Sequence, residues 1–161
     1  MLLLSVVSTG LYAQASATAT ATATIVTPIA ITKTADMNFG NVAVSTTAGT
    51  VVLTPAGSRT RTGGVTLPAT AGTVAAASFD VTGTGTYTYA ITLPASNLVL
   101  TRNTGTETMN VSTFTSTPSG TGTLAAGAQT VTVGATLNVA ASQVAGVYVS
   151  GTPFTVTVNY N

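Results

Sequence analysis

Along most of this chain apolar and polar side chains alternate with a period of two, the pattern of strands that bury one face. The first run, Ala17-Thr18-Ala19-Thr20-Ala21-Thr22-Ala23-Thr24-Ile25, continues to Ile29 and Ile31 with the less polar side chain at odd positions except Thr27. Pro28 interrupts it, and because proline cannot donate to a ladder it belongs at an edge, a bulge or a switch between partners. The run therefore reads as two halves, 16–27 and 29–34. Short strands are expected at 37–44, at 49–54 before Pro55, and at 65–67 between Gly63-Gly64 and Pro68. Phe79 and Val81, then Tyr87, Tyr89, Ile91 and Leu93, alternate with polar or small residues on either side of Gly83-Thr84-Gly85, a hairpin pattern. Further strands are expected at 98–101, 109–114, 129–133, 136–139 and 147–149. The chain closes on a run in which Phe154, Val156, Val158 and Tyr160 are bulky and the odd positions polar. No helical period of comparable strength occurs, and 140–145 would make one turn at most. Short strands at this spacing predict an all-β fold, an immunoglobulin-like Greek-key β-sandwich with an extended N-terminal strand, and a single domain over 28–161.

Composition narrows the chemistry. The 161 residues are 45% hydrophobic and only 4% charged, with a net charge of +1. Disorder needs the opposite balance, and nucleic-acid binding needs a basic field that this chain lacks. With no His and no Cys, the usual general base, the commonest transition-metal ligand, every thiolate nucleophile and any disulfide are excluded. The abundance of Thr, Val and Gly favours strands and turns over helices. Residues 1–15 read as a secretory signal peptide: a short apolar stretch ends in Ala13-Gln14-Ala15, the small-residue pattern of a cleavage site, without the usual basic start. The mature chain is therefore expected to begin near Ser16 and to be exported, with no membrane span.

The carboxylates Asp36, Asp80 and Glu107 lie far apart in sequence, whereas paired acid–base work needs two facing one site. Asp36-Met37-Asn38 starts like a calcium loop but lacks the Gly and Glu that complete one. A hydrolase would have to activate a Ser or Thr with Lys33, the single lysine. Gly83-Thr84-Gly85 and Gly120-Thr121-Gly122 lead into no helix N-terminus, so they read as turns and not as phosphate loops. Arg59 and Arg61 would share a face if extended, as a rim pair or a solvated edge. Asn110-Val111-Ser112 matches a glycosylation acceptor, which matters only in a eukaryotic secretory path. Neither catalysis nor a cofactor is expected.

Five segments resemble one family: the stretch from Ile25 to Lys33, Asp36-Met37-Asn38-Phe39-Gly40-Asn41-Val42, Gly63-Gly64-Val65, Val133-Gly134-Ala135-Thr136-Leu137 and the final strand. They look like a bacterial secreted family known as domain of unknown function 4402. That family in turn resembles the fimbrial subunits of the chaperone–usher route, including spore-coat-U-like archaic pilins. The alternating N-terminal run is similar to a donor strand. Tyr160 is a penultimate aromatic of the kind pilins present to a periplasmic chaperone. Two features depart from the pattern: no disulfide can form near the first strand, and Gly146 and Gly151 only bracket the position where pilins carry a glycine.

The resemblance implies a structural subunit of a bacterial surface fibre that polymerises by strand donation, with copies of itself, a periplasmic chaperone and an outer-membrane usher as partners. A sandwich lacking one strand exposes an apolar groove and unpaired backbone, which an extended peptide from a neighbour fills by β-augmentation. Ala17, Ala19, Ala21, Ala23 and Ile25 would then be the donor-strand contacts, and Phe154, Val156, Val158 and Tyr160 the chaperone or groove strand. Four alanine methyls supply only about 3 kcal/mol on burial, so the affinity must come from main-chain hydrogen bonds and Ile25, or else Ile25, Ile29 and Ile31 occupy the groove. Two other readings of 16–27 remain: the first strand of a self-contained domain, or a Thr/Ala leader. The rival function is a monomeric adhesin or carbohydrate-binding module. The lack of Trp argues against it, although five Tyr leave aromatic stacking possible.

Overall fold

The structure, a computed structural model, describes residues 13–161. The apolar stretch of the expected signal peptide thus lies outside the described residues, apart from exposed Ala13, Gln14 and Ala15. Eleven strands and no helix make up the described chain. They are β1 (Ala30–Ala35), β2 (Gly49–Leu53), β3 (Arg59–Gly63), β4 (Ala77–Thr82), β5 (Thr88–Thr92), β6 (Leu98–Arg102), β7 (Thr108–Thr117), β8 (Thr121–Thr123), β9 (Ala128–Val139), β10 (Tyr148–Ser150) and β11 (Thr157–Tyr160). All pairings are antiparallel, so the all-β sandwich expected from the alternation is the fold.

The large sheet is organised around β9. One edge of β9 pairs with β4 along its first half and with β2 along its second, and the other edge pairs with β7. From there the sheet continues outward through β1, through β3, and through β6 to β10. Strand β9 runs straight through Gly134, although the sequence suggested separate strands at 129–133 and 136–139. Glycine is required there because a Cβ would overlap the carbonyl of Leu53, at the point where pairing passes from Ala77 to Leu53. The inward parity of β9 is unbroken from Val131 to Val139. In β7, by contrast, a bulge between Ser112 and Thr115, with Thr113 at φ 51°, shifts the inward positions from Met109 and Val111 to Phe114 and Ser116.

The second sheet has three strands, β11-β5-β8. It covers only part of the large one, where Tyr89, Ile91, Leu124, Val156 and Val158 pack on Phe79, Val81, Val131 and Val133. The expected hairpin of 79–82 with 87–93 is therefore not formed. Its two strands lie in different sheets and meet through side chains, because Gly83-Thr84-Gly85 crosses between the layers and both strands turn their bulky faces to one core. Strand β3 was not anticipated, since Arg59-Thr60-Arg61-Thr62 has no apolar face. It is held at the sheet edge by its ladder to β2 and by a Thr50–Thr62 hydroxyl bond of 2.7 Å.

The rest of the large sheet carries a second cluster of Val51, Leu53, Val111, Leu137 and Val139, covered by Phe39 and Val65 from irregular segments. The strands expected at 37–44 and 65–67 reduce to isolated bridges, Asn38 with Ala75 and Ala43 with Thr66. Strand 16–27 is likewise absent. Residues 13–29 join no sheet, so the reading of 16–27 as the first strand of its own domain is overturned for this chain. The cause lies partly in Pro28, which has no N–H to carry a ladder upstream of β1.

Candidate functional site

Two segments far apart in sequence form the walls of an apolar groove. Residues 36–44, which follow β1, make one wall, and residues 143–154, which precede β11, make the other. The groove has a volume of about 910 Å³. Val111, Leu137 and Val139 lie at its base, and half-buried Met37, Leu98, Leu100, Met109 and Phe154 line it, with exposed Val144 and Val147 on the rim.

Backbone pairing in the walls is one-sided. Asn38, Asn41 and Ala43 spend their N–H groups on Ala75, Ala71 and Thr66, on the side away from the groove. Among the described residues the N–H groups of Met37, Phe39, Val42 and Val44 make no backbone hydrogen bond, and residues 151–156 pair with no strand. Arg59 fixes this wall by donating to the carbonyls of Phe39 and Asn41. Arg61 donates to the carbonyl of Val65 at 2.9 Å. Both arginines thus hold backbone and neither forms a rim ion pair.

The opposite wall is held by the β6–β7 turn. Arg102 binds both carboxylate oxygens of Glu107, at 2.7 and 3.1 Å, and Asn103 N–H donates to the carbonyl of Val147. The hydrogen bond from Arg102 holds the Glu107 carboxyl below its ordinary pKa, and Glu107 raises that of the guanidinium. Among the described residues Tyr148 is the one aromatic hydroxyl in the groove. It accepts from Gln143 at 2.8 Å and donates to the carbonyl of Val144 at 2.7 Å, so its polar end is occupied within the wall.

The C-terminal residues singled out from sequence share one side. Val156 and Val158 are buried, and Phe154 and Tyr160 are half-buried against the same cluster. Phe154 packs its ring on Phe79 and Phe114 at centroid distances of 6.3 and 5.1 Å. Phe154 alone of these lines the groove, while Tyr160 stands at the far end of β11. Ala17, Ala19, Ala21 and Ala23 are all exposed, and Ile25 is 94% exposed, an unusual state for a large aliphatic side chain. Ile29 and Ile31 pack against the body's own cluster, so they are not available to another groove. Among the described residues none before Lys33 lines the groove, so residues 16–27 of this chain do not fill it.

The three carboxylates are not brought together: Asp36 pairs with Lys33 at 2.7 Å, Asp80 accepts from Thr130 at 2.9 Å, and Glu107 faces Arg102. Among the described residues no group of three potential metal ligands occurs, and no helix is long and apolar enough to cross a membrane. Sequence reasoning missed the groove, whose signal was Met37 and Phe39 in one wall and Leu98 and Leu100 on β6, alternating in segments too short to close a layer.

This geometry defines an antiparallel two-sheet sandwich with one open apolar side and an unpaired N-terminal extension. The chain belongs to the family described as Domain of unknown function (DUF4402), whose model matches residues 29–160. No curated protein and no solved structure matches it. The matched region begins at the residue after Pro28, close to where the folded body starts.

Proposed function

We propose that this protein is a non-catalytic structural subunit of a bacterial surface fibre, exported and assembled by strand donation, in which residues 16–27 of one copy fill the groove of the next. The observation that carries this reading is the complementarity of the two ends. One end offers an apolar groove with unpaired backbone in both walls, and the other an exposed alternating segment that joins no sheet of its own body and is held to it only at Thr27.

Placement favours a neighbour over the chain itself. The segment leaves the body ahead of β1, beside Tyr160, whereas the groove is lined by the second half of β1 and by Phe154 ahead of β11. Lys33, where the groove begins on β1, lies six residues beyond Thr27, about 20 Å at the rise of a strand. A contact between unlike ends is heterologous, and repeated without ring closure it gives a filament. The Ala17-to-Ala23 methyls contribute about 3 kcal/mol in such a groove, and Ile25 about 1.5–3 kcal/mol more. The backbone ladder therefore dominates. Because an Ala-Thr repeat looks the same after a two-residue slip, Ile25 is the side chain that fixes the register.

A chaperone and an usher as partners rest on the family resemblance alone. A sugar-binding role is less well supported, because stacking and polar anchoring are scarce: the chain has no Trp, and the Tyr148 hydroxyl is engaged within the wall. Deleting 16–27 tests the proposal. The truncated protein should fold, form no fibres and bind a synthetic 16–27 peptide, whereas a full-length protein that stays monomeric for days and ignores the peptide would overturn it.

A further inference from the structure

At the other end of the molecule a polar cluster closes on a single residue, Thr27. Its N–H donates to Thr84 Oγ1 at 2.9 Å, and its carbonyl accepts from the Tyr160 hydroxyl at 3.0 Å and from Thr84 Oγ1 at 3.4 Å. The same Tyr160 oxygen accepts from Thr84 N–H at 2.7 Å, which joins the three residues into one network. The Tyr160 ring is held edge-on to Tyr87 at 5.6 Å. Gly83 leaves the room the hydroxyl needs, since a Cβ there would overlap it.

Both main-chain groups of Thr27 are thus satisfied by side chains from residues 57 and 133 positions away, and by no strand. Pro28 explains why side chains take this task, because it cannot extend the β1 ladder back to Thr27. Upstream, residues 13–25 are exposed and in no strand. Thr27 is therefore the point at which the extension becomes part of the body.

We infer that Tyr160 and Thr84 form a clamp on Thr27 that fixes the direction in which residues 16–26 leave the domain, making both of them positioning residues for the assembly proposed above. The inference rests on that reading for its biological use, but the clamp itself is a property of one copy. In a fibre the next subunit is held through this segment, so the clamp limits the angle between neighbours. Tyr160 then acts through its hydroxyl, in addition to the packing of its ring.

The test compares Tyr160→Phe, Thr84→Ala and Thr84→Ser in the mature chain. Tyr160→Phe keeps the ring, Thr84→Ala removes the bonds of Oγ1, and Thr84→Ser restores them. In ¹⁵N relaxation measurements the order parameters of Val26 and Thr27 should fall from the rigid range, about 0.85, to below about 0.6 in the first two variants. They should stay high in Thr84→Ser, with β1 and β11 unchanged in all three. Electron micrographs of Tyr160→Phe fibres should show a broader distribution of angles between subunits. Unchanged order at Thr27 in Tyr160→Phe and Thr84→Ala, or an equal loss throughout β1 and β11, would overturn the clamp. An absence of wild-type fibres would count instead against the proposed function, and the relaxation data would still decide whether the clamp exists.

Discussion

Val131 and Val139 lie on the same strand, β9, and both point inward, but they are covered differently. Over Val131 lies a second sheet, with Tyr89, Leu124 and Val158 packed against it and the Tyr89 hydroxyl donating to Gln129 at 2.6 Å. Over Val139 lie only irregular segments and the groove. The first half is a finished sandwich, in which strand pairing satisfies the backbone and two apolar faces exclude water. The second has the same inner face but lacks a paired strand above it. The difference teaches that the closed half completes its own cover and the open half does not, which is the asymmetry that the proposed strand donation requires.

The largest effect should come from charging the closed half. Val156 is 7% exposed, and Val156→Asp would bury a carboxylate with no partner. The expected outcome is loss of the folded protein, read as lost soluble yield and a lost cooperative transition. A folded Val156→Asp protein in normal yield would remove the distinction between the halves.

Next comes truncation on both sides of the comparison. Leu124 is 1% exposed, so Leu124→Ala should cost about 2–5 kcal/mol in urea unfolding. Met109, half-buried on the groove, should cost less than half as much when changed to Ala, while weakening capture of the 16–27 peptide. Equal costs would mean that the groove is as tightly packed as the core.

A smaller effect is expected at the wall. Arg59→Ala removes the donors to Phe39 and Asn41 and should cost about 1.5 kcal/mol. Hydrogen exchange should quicken at Asn38, Asn41 and Ala43 and remain unchanged in β5 and β11.

The smallest effect concerns pH. The Glu107 carboxyl titrates below its unfolded value because of Arg102, so its contribution is complete above the unfolded pKa and disappears as pH falls through the folded one. Stability should therefore decline slightly on acidification, and Glu107→Gln should remove most of that slope. The pair is partly exposed, so solvent screening keeps the change small.

What the sequence revealed and what it hid follow from range. The parity of Phe154, Val156, Val158 and Tyr160 was legible because a period of two is local. The partner of each strand was not. Phe79–Val81 and Tyr89–Ile91 alternate like a hairpin, but alternation does not distinguish pairing within a sheet from packing across two. Gly134 looked like a break, although it marks a close approach to Leu53. The groove was named in principle but could not be placed, because its walls at 36–44 and 143–154 lie about a hundred residues apart and meet only through the fold. The bonds from Thr27 to Thr84 and Tyr160 are hidden for the same reason.

The account turns on whether the open half accepts a strand, and hydrogen exchange of residues 28–161 with and without a saturating 16–27 peptide measures this directly. Binding should slow exchange at the unpaired amides of both walls, Met37, Phe39 and Val44 on one side and Phe154 and Thr155 on the other. It should also raise stability by about 2.7 kcal/mol at a hundredfold excess over Kd. The closed half should show no new local protection beyond that global gain. A peptide that leaves those wall amides unprotected, or that protects the outer face of the large sheet instead, would contradict the account.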